Sequence, residues 1–153
     1  MRLYVMRHGP AEAESPSGMD ADRRLSPGGK EVVRRVAEEL ARRGETIERV
    51  LASPLVRAQE TAAIVRAVLG VVAQIEVRME LAPSDDGVAL AGELAEDGRA
   101  ALVVSHAPDV SDVVSALTGT IASGFAAGMV VALEMNGRSA TRRFSLDPAK
   151  SFQ

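Results

Sequence analysis

The chain has 153 residues, 46% apolar and 25% charged, with a formal net charge of −3, a profile that suits one globular domain with its own core. Its acidic balance and 3% aromatic content argue against a nucleic-acid surface, and the lack of cysteine excludes disulfides and thiolate metal sites. No apolar run is long enough to span a bilayer, and Arg7 and His8 interrupt the first apolar run too early for a signal peptide, so no membrane association is expected and the expected location is the cytoplasm.

Arg2 to Met6 is short and apolar and predicts a central strand, with Arg7, His8 and Gly9 at its carboxyl end. Pro10 to Leu25 is rich in Glu, Ser, Asp, Gly and Pro and reads as a long loop carrying Asp20, Asp22, Arg23 and Arg24. Ser26-Pro27 reads as N-cap and first residue of a helix. Its buried stripe is Val33, Val36, Ala37 and Leu40, and Gly44 stops it. Arg34, Arg35, Arg42 and Arg43 fall largely on the wet face. Glu48 to Ala52 is a second strand. Ser53-Pro54 repeats the cap-plus-proline device and opens a helix to about Leu69, with Arg57 in its first turn beside free backbone N–H groups.

Ile75 to Met79 alternates as a half-buried strand, Pro83 to Gly87 is a loop, and Val88 to Asp97 is a helix ended by Gly98. Ala100 to Ser105 is nearly all apolar, as in a sheet interior, and His106 follows it. Pro108 and Asp109 open a helix to about Leu117, stopped by Gly119. Met129 to Met135 and Ala140 to Leu146 form a hairpin around Asn136-Gly137, a favoured turn pair. Residues after Pro148 are expected to be loose. With no repeat or linker, residues 1–153 form a single α/β domain, its sheet covered by helices on both faces and closed by a hairpin.

The chain's two histidines each follow a predicted strand, and Arg57 follows another. If those strands are parallel, all three side chains share one sheet edge, where α/β folds hold ligands. An imidazole among guanidiniums suits a phosphoryl group: Arg offers a planar fork to phosphate oxygens, and neutral histidine is a competent nucleophile. Neighbouring arginines hold the imidazole neutral. Gly9 lets the backbone turn sharply off the strand. Two histidines and scattered acids show no metal-ligand spacing, so neither metal nor cofactor is expected.

Leu3-Tyr4-Val5-Met6-Arg7-His8-Gly9 resembles the opening motif of the histidine phosphatase (phosphoglycerate mutase-like) superfamily. Ser53 to Ala62 resembles its second motif and Val103 to Pro108 its third. The resemblance is strongest to the SixA-type phosphohistidine phosphatases, through the small size, Arg23-Arg24-Leu25-Ser26, Leu81-Ala82-Pro83 and His106 followed by Pro108. It implies a three-layer α/β/α fold whose mixed, mostly parallel six-stranded sheet sets the fourth strand beside the first. It further implies that His8 attacks phosphorus and becomes a phosphohistidine, which water then hydrolyses. Arg7 and Arg57 bind phosphoryl oxygens, and His106 contacts the phosphoryl group and stabilises charge in the transition state. Arg23 matches a further phosphate-contacting arginine and Asp20 a nearby acidic position, with Arg24 as the alternative contact if the loop register slips by one. The implied substrate is phosphohistidine on a signalling protein, such as a phosphotransfer domain.

One departure bears on specificity. Many phosphomonoesterases and mutases of the superfamily carry a glutamate acid where Pro83 stands here. A positioned acid is typically worth ~10²–10⁴-fold, and poor alkoxide leaving groups need it most. Imidazole leaves neutral if its other nitrogen carries a proton, so a phosphohistidine substrate needs the acid least. Glu80, Asp85 and Asp86 are the acids that would substitute. Only about two dozen residues separate Leu81 from His106, too few for a large cap over the site. The competing readings are a broader phosphomonoesterase on small esters and a catalytically idle phosphate-binding module. A mutase is disfavoured, since it needs an enclosed site to retain its intermediate.

Overall fold

The computed structural model describes residues 1–83, 86–122 and 124–152. Its six strands are β1 (Arg2–Arg7), β2 (Arg49–Ala52), β3 (Ile75–Val77), β4 (Ala101–Ser105), β5 (Val130–Asn136) and β6 (Ser139–Leu146). They form one sheet in the order β3-β2-β4-β1-β5-β6. The first four run parallel, while β5 runs antiparallel to β1 and β6 antiparallel to β5. The connecting helices are α1 (Pro27–Arg42), α2 (Val56–Leu69), α3 (Gly87–Asp97) and α4 (Asp109–Thr118). This is the mixed α/β/α architecture that the resemblance implies, with β4 beside β1.

Period-two alternation along the strands splits the core into two layers. Tyr4, Met6, Val50, Ala52, Leu102 and Val104 pack with Val33, Val36 and Leu40 of α1 and Ala58, Ala62 and Val65 of α2. Leu3, Val5, Leu51, Ala101 and Val103 pack on the opposite face with Leu90 and Leu94 of α3 and Val110, Val114 and Leu117 of α4. Each fully buried Leu or Val contributes roughly 1.5–3 kcal/mol. Every residue of β4 is buried, which explains its unbroken apolar run.

Helix boundaries follow local chemistry with one exception. The Ser26 hydroxyl accepts from the Gly29 N–H at 2.9 Å and starts α1, as expected. Ser53-Pro54 does not start α2. The helix begins at Val56, and its N-cap is Leu55 in extended backbone (φ −64, ψ 136) with no side-chain cap. Ser53 Oγ instead accepts from the Leu55 N–H at 3.1 Å and makes a turn ahead of the helix. The reason is burial: Leu55 belongs to the core, and an extended residue there carries its side chain inward. Gly70, Gly98 and Gly119 end α2, α3 and α4 in the left-handed region, which suits glycine.

Two further expectations need correction. Asn136 pairs with Ser139, so the two-residue loop is Gly137-Arg138, one residue later than predicted. This register pairs Met135 with Ala140, both buried in the core. The segment after Pro148 is anchored at Phe152 instead of being loose. Phe152 packs against the core on the α1 side, the Arg35 guanidinium lies 5.1 Å from its ring centroid, and Arg35 also donates to the Pro148 carbonyl.

Away from the carboxyl edge of the parallel strands, Glu45 is a buried carboxylate with three donors. Tyr4 OH donates to it at 2.7 Å, Arg143 Nη2 at 2.8 Å and Arg2 Nη1 at 3.1 Å. Burial first, and then the Glu45 contact, push the Tyr4 hydroxyl up to about 12. Replacing Glu45 with alanine strands Tyr4 and Arg143 without their acceptor. Urea unfolding of Glu45→Ala is expected to show a loss of about 2–3 kcal/mol.

Candidate active site

Strand pairing places the site. Arg7 is the register partner of Ser105, and the His8 N–H continues the ladder by donating to the Ser105 carbonyl at 2.9 Å. His8 and His106 therefore leave adjacent parallel strands side by side. β2 pairs with β4 on the other side, and the Ser53 N–H donates to the Val104 carbonyl at 3.0 Å. That contact delivers Arg57, in the first turn of α2, to the same edge. His8, Arg57 and His106 are all buried, at 8%, 6% and 7% exposure.

Local contacts define the His8 ring. Its Nδ1 lies 2.8 Å from the Gly9 carbonyl, which can only accept, so Nδ1 carries the proton. The lone pair is then on Nε2, which accepts from Arg57 Nε at 3.3 Å. Burial, joined by the charges of Arg57, Arg7 and His106, lowers the pKa of His8 to about 4, against the opposing pull of the Gly9 carbonyl. Dehydration is thus the leading cause of neutrality, ahead of the arginines that sequence reasoning emphasised. The result is a neutral imidazole with a directed lone pair at physiological pH.

Gly9 serves a different purpose from the one its position suggests. A Cβ there would lie 2.5 Å from Val33 Cγ2 and 3.2 Å from the Gly29 carbonyl. Close approach to α1, rather than a left-handed turn, demands glycine at this point.

Arg57 is held by more than His8. Its Nη1 donates to the Asp20 carbonyl at 2.9 Å and its Nη2 to the Asp20 carboxylate at 3.1 Å. Asp20 opens a short 3₁₀ turn, Asp20–Asp22, within the long loop, and its other oxygen accepts from Arg23 Nε at 3.0 Å. Contact with Arg57 holds the Asp20 carboxyl below the usual carboxylate range. Arg23 also donates to the Glu12 carbonyl at 3.0 Å. The turn thus brings Arg23 towards the site through Asp20 and leaves the Arg24 side chain exposed. A hollow of about 560 Å³, lined in part by Ser15, Met19, Asp20 and Arg23, opens beside this pair.

Arg7 Nη1 donates to the Phe125 carbonyl at 2.9 Å, while its buried Nε–H has no acceptor among the described residues. An oxyanion would satisfy that donor. His106 Nε2 lies 3.2 Å from the Leu81 carbonyl and so carries a proton, and Ser105 Oγ donates to the same carbonyl at 2.9 Å. His106 Nδ1 is 3.6 Å from the Asp109 carboxylate.

The candidate acids differ in standing. Glu80 accepts from Arg78, which holds its carboxyl below the usual range. Asp86 caps α3 by accepting from the Ala89 N–H at 3.2 Å. Asp85 lies outside the described residues. Among the described residues no group of three or more His, Asp or Glu side chains is placed to hold a metal ion, and no helix is long and apolar enough to cross a membrane.

Sequence reasoning did not single out the carbonyls of Gly9, Leu81 and Phe125, because any residue offers a carbonyl. It also passed over Thr61, whose signal was available: a polar residue within the buried stripe of Ala58, Ala62 and Val65.

This geometry has clear relatives. Residues 3–89 match the histidine phosphatase superfamily (branch 1), and the chain belongs to that superfamily. Within it the chain is SixA-type. It is 37% identical over 121 residues to phosphohistidine phosphatase SixA of Escherichia coli (strain K12), covering 76% of this chain and 74% of that one. The structure of the protein histidine phosphatase SixA complexed with tungstate matches with a TM-score of 0.91 at 30% identity, over 97% of this chain and 98% of that one. The alpha-ribazole phosphatase from Shigella flexneri matches at 0.74 with 22% identity over 100% of both chains, a likeness of fold alone. The chain is accordingly a phosphatase.

His8 has a folded pKa near 4 against about 6.5 when unfolded, so its contribution to stability is complete above the unfolded value and is lost as pH falls towards 4. His8→Ala lacks this loss. The melting temperature of the variant minus that of the wild type is expected to rise between pH 7 and pH 4, and a constant difference would contradict the assignment. For the loop, Arg23→Ala is expected to lower kcat/KM about 10-fold or more, the worth of one charged hydrogen bond, and Arg24→Ala to leave it within about twofold.

Proposed function

We propose that the chain is a metal-independent protein phosphohistidine phosphatase acting through a phosphohistidine on His8. A phosphoryl oxygen draws the Arg57 Nε–H away from the Nε2 lone pair, which attacks phosphorus as the bond to the substrate's imidazole nitrogen breaks with its electron pair. The leaving ring departs neutral because its other nitrogen keeps a proton. Arg7, Arg57 and Arg23 bind the phosphoryl oxygens, and His106 stabilises charge beside them. Asp20 orients two of those guanidiniums. Water then attacks the phospho-His8 phosphorus, both its protons finish on the released phosphate, and His8 returns to its starting tautomer.

One observation carries the substrate reading. The His8 ring is neutral with its lone pair on Nε2, while the described residues placed to replace the absent glutamate are engaged elsewhere, Glu80 with Arg78 and Asp86 at the start of α3. Such a site favours leaving groups that need no proton. The short path between Leu81 and His106 supports it as well. Its described residues are taken up by α3, β4 and short connections, which suits a phosphorylated side chain on a folded signalling protein.

The test compares hydrolysis of a phosphohistidine phosphotransfer domain with that of a serine phosphate ester. The expected preference for phosphohistidine is about 100-fold or more, on the scale of a missing general acid. His8→Ala is expected to lose both turnover and covalent labelling by radioactive phosphate. Faster turnover of the ester, coupled to a large loss in Glu80→Gln, would instead establish the broader phosphomonoesterase.

A further inference from the structure

Thr61 is fully buried in α2, and its hydroxyl joins two parts of the site that are remote in sequence. The Gly9 N–H donates to Thr61 Oγ1 at 3.1 Å, and Thr61 Oγ1 donates to the Arg57 carbonyl at 2.8 Å. Gly9 in turn accepts from His8 Nδ1 at 2.8 Å, and Arg57 Nε donates to His8 Nε2 at 3.3 Å. These contacts close a ring through His8, Gly9, Thr61 and Arg57.

We propose that Thr61 is the positioning residue that locks the His8 ring and the Arg57 guanidinium into one geometry. The proposal rests on the reading of His8 as nucleophile. A threonine hydroxyl bonded back along its own helix is ordinarily neutral or slightly unfavourable. Here that bond commits the hydroxyl proton to Arg57, so the oxygen lone pairs remain for the Gly9 N–H. The branched side chain restricts χ1 and fixes the oxygen in place. The peptide joining His8 to Gly9 is thereby held at both ends, because the His8 carbonyl accepts from the Gly128 N–H at 2.9 Å.

Removing the hydroxyl frees one end of that peptide and leaves a buried N–H unpaired. The Gly9 carbonyl then loses its fixed direction, and with it His8 loses the contact that keeps the proton on Nδ1. Once the proton moves to Nε2, that nitrogen has no lone pair for phosphorus. Thr61 touches no substrate, and its effect passes entirely through its neighbours.

The experiment uses the full chain with Thr61→Val and Thr61→Ser, reading kcat, KM and the ¹⁵N shifts of the His8 ring. Thr61→Val is expected to lower kcat about 10- to 100-fold with KM changed less than about threefold, on the scale that small misplacements cost. Its His8 signals are expected to move from the Nδ1–H form towards a mixture of tautomers. Thr61→Ser keeps the hydroxyl and is expected to retain kcat within about threefold. A Thr61→Val protein with wild-type kcat and an unmixed tautomer would overturn the proposal. So would a Thr61→Ser loss greater than about tenfold, since the methyl group's packing would then be the cause. If valine prevents folding, a Thr61→Ser protein with a mixed His8 tautomer or such a loss still overturns the proposal. If the wild type turned over no phosphoryl donor, the phosphatase reading would fail while the tautomer readout still judged Thr61.

Discussion

The parallel pairing of β1 with β4 is the constraint on which the site depends. Its last rung, from the His8 N–H to the Ser105 carbonyl, lies beyond the strand proper and carries the ladder into the functional loops. A slip of one residue would turn every side chain of β1 to the other face. Leu3 and Val5 would then exchange layers with Tyr4 and Met6, and the two cores built on them would fail. Burial on both faces therefore fixes where the two histidines emerge. The same argument applied to β2 against β4 places the first turn of α2, and with it Arg57.

The electrostatics of the edge are those of a site short of negative charge. Burial and nearby guanidiniums act in the same direction on His8, and both disfavour its protonation. In the free protein the Asp20 carboxylate offsets part of that positive field and links Arg57 to Arg23. Arg57 is committed on two sides, to the imidazole and to Asp20, which leaves it little rotational freedom. A planar guanidinium can serve both because its donors are fixed in a fork, which a lysine would lack.

Much of this was legible in the chain. Strands followed directly by His8 and His106, a proline-led first helix, and an arginine shortly after a strand are features that local sequence controls. The α1 cap was readable because Ser26 and Pro27 act within one turn. The start of α2 was not, since burial of Leu55 overrode the signal of Ser53-Pro54. The hairpin turn moved by one residue for the same reason, as the core set the pairing of Met135 with Ala140. That Arg23 meets the Asp20 carboxylate depends on the 3₁₀ turn at Asp20–Asp22, which composition does not reveal. The tautomer of His8 depends on a carbonyl, and carbonyls have no sequence signature.

The glycine contacts beneath His8 have a wider consequence. A Cβ on Gly29 would stand 1.9 Å from the Pro10 carbonyl, which the Ser26 N–H also grips at 3.1 Å. Main chain presses on main chain here, and no side chain can yield to make room. Gly29 bears no reacting atom, yet the path of the polypeptide just past His8 rests upon it. Intolerance to change at that position is a matter of clearance between two backbones, and it ties the first helix to the chemistry as firmly as any charged group does.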